Sequence, residues 1–126
     1  MTGSDLQLGN TVFNRFQPFT GGYQFADASG YQILLNYRSY VDNRRGPFER
    51  VSLSQVLNDQ IAPDRFKDKI VLIGVTSLES VKDYKSTPFG AGDRELPGVV
   101  IQAHMISQLL SAVLNERPLL WVWPQW

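Results

Sequence analysis

The segment Ile70-Val-Leu-Ile-Gly-Val75 gives the strongest strand signal in the sequence. It is continuously apolar and rich in β-branched side chains, which is typical of a central strand covered on both faces. A short helix is predicted before this segment and a long helix after it. Strand, helix, strand and helix in this order predict an α/β fold, with flanking helices on a mixed, mostly parallel sheet.

The short helix has a clear start signal. Ser52-Leu-Ser-Gln55 is a capping box, in which the serine accepts a hydrogen bond from the third helical N–H and the glutamine reaches back. We expect this helix to end near Asn58, and its apolar face consists of Leu53, Val56 and Leu57. A single helical turn is predicted over residues 63–66, because proline suits the first position of a helix.

Pro97-Gly98 precedes the long helix, at the end of a loop that covers residues 76–97. Apolar residues recur in this helix at alternating spacings of four and three, which predicts a stripe that faces the core. That stripe consists of Val99, Ala103, Ile106, Leu110 and Val113. A polar stripe of the same helix consists of His104, Gln108, Ser111 and Asn115.

An N-terminal hairpin is predicted as the antiparallel part of the sheet. Tyr23-Gln-Phe-Ala26 and Tyr31-Gln-Ile-Leu-Leu-Asn-Tyr37 are rich in residues that favour strands. Between them, Asp27-Ala-Ser-Gly30 is a link of turn formers. Residues 5–18 show no regular pattern and receive no predicted element.

The predicted organisation has three parts. Residues 1–20 form an irregular lead, in which residues 1–4 resemble an added leader, and residues 20–117 form the α/β core. Residues 118–126 begin a membrane-proximal segment, since Pro118-Leu-Leu-Trp-Val-Trp-Pro-Gln-Trp126 is too short to span a bilayer but has the indole rings of a membrane interface. The alternative is a tail that folds back onto the core.

The composition limits the classes of function. With 126 residues, the chain has the length of one domain. Twelve basic and 12 acidic side chains give zero net charge. This argues against nucleic acid as a partner, because proteins bind its phosphates through clustered positive charge. The absence of cysteine and the single histidine exclude thiolate catalysis, disulfides and a three-histidine metal site. No metal or other cofactor is predicted.

A ligand crevice is expected beyond the carboxyl end of the strand at Val75. Thr76, Ser77, Asp83 and Thr87 lie in the loop that follows the strand, and Gly98 begins the last helix. The N-terminus of a helix offers unpaired N–H groups, so an anionic or hydrogen-bonding ligand is physically reasonable. In the alternative interpretation, these side chains only tie the loop down through bonds to the backbone.

Catalytic interpretations have less support, and no catalytic residue is predicted. Neither Ser77 nor Ser80 lies in a nucleophile elbow, and Gly74-Val-Thr-Ser77 lacks the glycines and lysine of a phosphate loop. His104 falls midway along a helix, where an exposed or locally bonded histidine is the ordinary case. The carboxylates of Asp83, Asp93 and Glu95 could meet and bind a cation, although loop acids are usually solvated.

Several segments occur together in order and with sensible spacing over most of residues 20–120. They are Tyr31-Gln-Ile-Leu-Leu-Asn-Tyr-Arg38, Val51-Ser-Leu-Ser-Gln-Val-Leu57, Lys67-Asp-Lys-Ile-Val-Leu-Ile-Gly-Val-Thr-Ser77, Asp83 with Ser86-Thr-Pro88, and Leu96-Pro-Gly-Val-Val-Ile-Gln-Ala-His104. This ordered set resembles the second class of CHASE domain, the sensory extracellular module associated with cyclases and histidine kinases.

The resemblance implies a place outside the cytoplasmic membrane, periplasmic or extracellular, with membrane helices on either side. It also implies a cytoplasmic output domain such as a histidine kinase, nucleotide cyclase, diguanylate cyclase or serine/threonine kinase. Ligands of the class are generally undefined. The usual domain is longer, with a preceding α/β half that this sequence lacks, so a pocket between the halves would be incomplete.

The resemblance also bears on individual residues. Thr76, Asp83, Thr87 and Gly98 occupy motif positions of the family, which favours a binding role for the crevice. Residues 119–126 fit the beginning of the next membrane helix.

Three hypotheses for the function follow. The first is an extracytoplasmic sensor of a small-molecule or environmental ligand, tethered to the membrane in a sensor histidine kinase or nucleotide cyclase. The second is a structural module that forms a homodimer and positions the output domains, through the polar stripe of the last helix or an exposed sheet edge. The third is a hydrolase fragment, for which the chain offers one histidine and no evident serine partner.

Overall fold

A computed structural model describes residues 5–18, 27, 29–39, 46–77, 83–88, 95–114 and 116–120. The chain divides into two compact units. One unit combines residues 1–37 with residues 104–126, and the other consists of residues 38–103.

The first unit begins with a hairpin that the sequence pattern did not predict. Strand β1 (Leu6–Leu8) pairs antiparallel with β2 (Thr11–Phe13), and Leu6 lies opposite Phe13. The turn at Gly9-Asn10 holds Gly9 at a φ of 57°, a conformation that glycine adopts without steric cost. Phe13 at the end of β2 is buried and belongs to the core of this unit.

The predicted N-terminal hairpin falls only partly within the described residues, where the start of its second strand pairs with an earlier segment of the chain. Strand β3 (Arg15–Phe16) pairs antiparallel with β4 (Gly30–Tyr31). The turn prediction before β4 has local support, because the Ser29 N–H donates to Asp27 Oδ1 at 2.8 Å. This bond lowers the pKa of the Asp27 carboxyl. The other predicted strand, residues 23–26, lies outside the described residues.

Helix α2 (Gly98–Val113) confirms the predicted long helix, but its buried face is the opposite of the predicted one. The fully buried positions include three residues of the predicted polar stripe. The buried residues of α2 are Val100, His104, Gln108, Ser111 and Ala112. In the predicted apolar stripe, Leu110 is exposed and the other members are only half-buried. Because α2 is apolar on most sides, hydrophobic periodicity could not identify the face that packs.

Gln108 is buried because the backbone of an adjacent segment satisfies its side-chain amide. Its Nε2 donates to the carbonyl of Leu34 at 2.8 Å, and its Oε1 accepts from the N–H of Asn36 at 2.9 Å. The side-chain amide therefore forms the two hydrogen bonds that the backbone of a neighbouring strand would otherwise supply. This segment was predicted to be part of a strand, and a side chain of α2 supplies its hydrogen bonds instead.

Further contacts within the first unit fix the rest of this face. The His104 ring lies 4.9 Å from the Tyr37 ring in an edge-to-face arrangement. The Thr11 hydroxyl donates to the carbonyl of Ala112 at 2.8 Å, which attaches the first hairpin to the helix. At the helix end, the N–H of Glu116 donates to the carbonyl of Ser111 at 2.8 Å.

In the second unit, helix α1 (Leu53–Leu57) confirms the capping box. The Ser52 hydroxyl accepts from the Gln55 N–H at 3.2 Å, and Gln55 Oε1 accepts from the Ser52 N–H at 2.9 Å. A 3₁₀ turn over Pro63–Phe66 is also confirmed. The apolar face of α1 is not covered by other described residues, since Leu53, Val56 and Leu57 are all exposed.

Strands β5 (Tyr84–Ser86) and β6 (Glu95–Pro97) form the antiparallel pair of the second unit. Tyr84 lies opposite Pro97 and Ser86 opposite Glu95. Both strands fall within the segment that was predicted to be a long loop. Leu96 on β6 and Val100 on α2 are buried and form part of the core of this unit.

The prediction of a mostly parallel sheet is wrong. The described strands form three two-stranded sheets, all antiparallel, so only the mixed α/β character is retained. Residues 70–75 are assigned neither strand nor helix. They are not covered on both faces either: Ile73 is 95% exposed, and every other aliphatic residue of this segment is exposed as well. A strand requires a hydrogen-bonded neighbour, and the described part of the chain offers none here.

Replacing Gln108 with leucine tests the role of the buried amide. We expect the free energy of unfolding to fall by about 1–3 kcal/mol for each backbone group left unpaired, at Leu34 and Asn36. Urea denaturation followed by circular dichroism measures this change. Gln102 lies on the same helix and is exposed, so Gln102→Leu is the matched control and should alter stability by at most about 0.5 kcal/mol. Equal stability of the two variants would contradict the role given to Gln108.

Candidate functional site

The candidate site surrounds the junction where β6 continues directly into α2. The N–H of Gly98, the first residue of the helix, donates to the carbonyl of Asp83 at 2.8 Å. The Asp83 carboxylate lies so close to Gly98 that a Cβ at this position would overlap it. Glycine is therefore required unless Asp83 moves. A carboxylate at this position favours the helix, because it lies near the positive end of the helix dipole.

This arrangement changes the expectation for a ligand at the helix N-terminus. The half-exposed Asp83 carboxylate lies beside the first residue of α2, and Lys85 Nζ approaches it at 3.9 Å. An anionic ligand at the same end would meet the negative charge of Asp83. A group that donates hydrogen bonds is therefore a better match for this junction than an anion.

A second close approach fixes the segment before the junction. A Cβ built on Gly74 would lie 2.5 Å from Cβ of Val99 and 2.7 Å from its Cγ2. These distances are shorter than normal van der Waals contact, so only glycine allows this approach to the first turn of α2. The glycine in the Ile70–Val75 segment thus has a packing role.

A cavity of about 780 Å³ lies next to these contacts in the second unit. Its lining combines four separate segments of the chain. The lining residues are Gly46, Pro47, Phe48, Glu49, Arg50, Thr76, Tyr84, Glu95, Leu96 and Pro97. The Tyr84 hydroxyl donates to the carbonyl of Thr76 at 2.6 Å, which joins two of these segments. The volume is in the range of about 300–1,000 Å³ that is usual for small-molecule pockets.

The charged groups of the cavity differ in how far they are already paired. Glu49 forms ion pairs with Arg65 and with Lys69, the latter at 3.9 Å. Arg50 and Glu95 are exposed and form no salt bridge with another described residue. Among the described lining residues, Arg50 and Glu95 therefore offer opposite charges to a ligand. The aromatic rings of Phe48 and Tyr84 belong to the same lining.

The five predicted binding residues do not all meet in one place. Thr76 lines the cavity, and Asp83 and Gly98 meet each other at the adjacent junction. Ser77 is exposed and does not line the cavity. Thr87 has a buried hydroxyl without a hydrogen-bond partner among the described residues. A binding role for these five residues stays a prediction.

Sequence reasoning missed most of the cavity lining. Residues 46–50 belong to a segment whose polar composition predicts a loop, and the sequence gives Tyr84, which follows Asp83 directly, no site signal. One signal was present: Asp83-Tyr-Lys-Ser-Thr87 contains the strand-favouring residues of β5. The contribution of residues 46–50 depends on contacts that are distant in sequence, which local patterns do not report.

A cation site is not supported by the described residues. No group of three or more His, Asp or Glu side chains that could hold a metal ion occurs among them. Of the three carboxylates considered from sequence, Asp93 lies outside the described residues, while Asp83 and Glu95 flank different parts of the junction.

A family model, described as the CHASE2 domain, matches residues 4–126 of the sequence. The chain belongs to the CHASE2 domain family. No curated protein sequence and no solved structure matches it. The resemblance to the second class of CHASE domain, drawn from the ordered segments, is therefore confirmed.

Membership defines the general class of function. CHASE2 domains are extracellular sensory domains of signal-transduction proteins, and they are not catalytic. Within the described residues, no helix of this CHASE2 domain combines the length and the apolar character needed to cross a membrane. The tryptophans of the tail lie outside the described residues, so the membrane-proximal interpretation of residues 118–126 stays a prediction.

Replacing Gly74 with alanine tests the close approach to α2. We expect a loss of about 1–3 kcal/mol in the free energy of unfolding, because the new methyl group overlaps Val99. A double-mutant cycle with Val99→Gly provides the control. Since Val99→Gly removes the overlapping atoms, the double variant should be more stable than the sum of the single changes predicts. Additive effects, measured by urea denaturation, would show that the two residues do not compete for this space.

Proposed function

We propose that this CHASE2 domain is the extracytoplasmic sensor of a membrane-bound signal-transduction protein such as a sensor histidine kinase or a nucleotide cyclase. The family supports the sensory role and the external location. The observation that supports ligand sensing is the cavity beside the β6–α2 junction, because its lining includes the residues of β6 from Glu95 to Pro97.

The lining of the cavity indicates the class of ligand. Arg50 and Glu95 supply opposite charges, and Phe48, Tyr84 and Leu96 supply aromatic and apolar surface. In small-molecule pockets, a few precisely placed polar groups orient the ligand. A small molecule with both a polar or zwitterionic group and an apolar part matches this lining.

The junction supplies a route for the signal. A ligand that shifts β6 also shifts the start of α2, because Gly98 follows Pro97 without an intervening loop. Asp83, the residue before β5, holds the same point by accepting the hydrogen bond from the Gly98 N–H. Signalling further requires that the ligand binds two conformations of the junction with different affinity.

A structural module that forms a homodimer is the second candidate function, and one observation favours it. The aliphatic side chains of residues 70–75 are exposed in a segment that is apolar throughout. The polar stripe of α2 is not available as the dimer contact, because His104, Gln108 and Ser111 are buried. A contact between copies would therefore use another surface, such as this apolar segment.

Labelling of a single cysteine tests the location. The domain has no cysteine, and Leu57 on α1 is 72% exposed, so Leu57→Cys places one accessible thiol in it. In the full-length protein, with other cysteines replaced, we expect a membrane-impermeant maleimide to label this thiol in intact cells or spheroplasts. Val100→Cys is the buried control and should react only after denaturation. Labelling of Leu57→Cys only after lysis would contradict an external location.

Replacement of single charges in the full-length receptor tests the sensing site. Asp83→Asn keeps the size of the side chain beside Gly98 but removes its charge, and Arg50→Gln removes a cation of the cavity. We expect each change to alter the response of the output domain to its stimulus while expression stays normal. Asp64→Asn and Lys67→Gln change exposed charges that do not line the cavity and should leave the response unchanged. A normal response in both test variants would exclude this site.

A further inference from the structure

The charges of the cavity lining are not all neutralised within the described part of the chain. Glu49 is neutralised, because it forms ion pairs with Arg65 and Lys69. Arg50 and Glu95 line the same cavity with opposite charges, yet no ion pair joins them to each other or to another described residue. After this internal pairing, the described lining retains one positive and one negative charge.

Two opposite charges in one cavity select against a ligand that carries a single charge. A small cation is attracted by Glu95 but repelled by Arg50, and a small anion is attracted by Arg50 but repelled by Glu95. An uncharged ligand without polar groups would displace water from both side chains and leave their hydrogen bonds unreplaced, which is unfavourable. A zwitterion gives each side chain an opposite charge, so the lining is complementary to a molecule with both charges and no net charge.

The two charged residues belong to separate segments that local structure holds in place. Glu95 is the first residue of β6 and lies opposite Ser86 of β5. Arg50 lies two residues before Ser52, the N-cap of α1. A guanidinium binds a carboxylate through two parallel hydrogen bonds, and a carboxylate accepts hydrogen bonds from an ammonium group. A zwitterion therefore has one favourable orientation in this cavity, with its carboxylate at Arg50 and its ammonium at Glu95.

The rest of the lining favours an apolar or aromatic substituent on this zwitterion. Phe48, Leu96 and Pro97 belong to the lining, and Leu96 and Pro97 are buried. The Tyr84 hydroxyl donates to the carbonyl of Thr76, so its O–H is already used and its ring remains as an apolar surface. An α-amino acid combines these features, because it carries both charges at one end and a side chain at the other.

We propose that the cavity binds a free α-amino acid with an apolar or aromatic side chain, with its carboxylate at Arg50 and its ammonium at Glu95. This inference rests on the proposed function, because it names the ligand class of the same sensing site. Each of the two residues recognises one charged group of the ligand. Loss of either residue's charge must therefore change the preference among ligands, and not only the affinity.

Equilibrium binding of radiolabelled phenylalanine and leucine to the full-length receptor in nanodiscs tests the ligand class. Two analogues of phenylalanine serve as competitors: phenethylamine lacks the carboxylate, and 3-phenylpropionate lacks the ammonium group. We expect each analogue to bind about fivefold more weakly than phenylalanine, the loss that corresponds to one partly exposed ion pair. Absence of binding by both amino acids, or equal binding of phenylalanine and the two analogues, would overturn the proposal.

Charge removal in the receptor tests the role of each residue. In Arg50→Gln, the preference for phenylalanine over phenethylamine should disappear, while the preference over 3-phenylpropionate remains. Glu95→Gln should show the reverse pattern. Asp64→Asn and Lys67→Gln change exposed charges outside the lining and should keep both preferences. Because each preference is a ratio measured on one protein, it does not depend on the fraction of that protein that is folded.

The outcomes separate this inference from the proposed function. If either variant weakened binding of all three compounds by the same factor, its side chain would only shape the cavity, and the assignment of charges would be wrong. If neither amino acid bound but Arg50→Gln still altered the response of the output domain, the amino acid class would be rejected and the sensing site retained. Reciprocal preferences together with a normal response in Arg50→Gln would support the ligand class and reject the sensing role.

Discussion

The hydrogen bond from Gly98 to Asp83 is the constraint on which the second unit depends. It joins the start of α2 to the start of β5, and β6 enters the helix without a loop between them. The Asp83 carboxylate also lies against Gly98, so both the side chain and the backbone of Asp83 contact the first residue of α2. The Gly74–Val99 contact fixes the preceding segment to the first turn of the helix. The cavity borders this junction, since Glu95, Leu96 and Pro97 of β6 line it.

The first unit is organised by a different device, the buried polar face of α2. Burial of an amide is favourable only when its donors and acceptors have partners. Gln108 meets this condition with the carbonyl of Leu34 and the N–H of Asn36. Because of these bonds, the Leu34 carbonyl and the Asn36 N–H need no hydrogen-bond partner in a neighbouring strand. The helix therefore packs with its polar stripe inward, and Leu110 of the predicted apolar stripe stays exposed.

The success of the sequence-based predictions depends on the range of the interactions involved. The capping box of α1, the 3₁₀ turn and the extent of α2 were predictable, because each depends on residues within a few positions of one another. The first hairpin could also have been found, since Leu8-Gly-Asn-Thr11 has the spacing of a two-residue turn. Of the site, Asp83, Gly98 and Thr76 were named from the sequence, whereas Arg50 and Tyr84 were missed because distant segments bring them to the cavity.

The sequence by itself determined the local elements, the neutral charge and the ordered motifs that identify a CHASE2 domain. Only the tertiary structure decided which face of α2 is buried, how the strands pair, and what becomes of residues 70–75. The physical reason is that apolar character records a preference to avoid water but does not identify the partner that excludes it. Ile70–Val75 has the composition of a central strand, yet the described part of the chain supplies no neighbour for it.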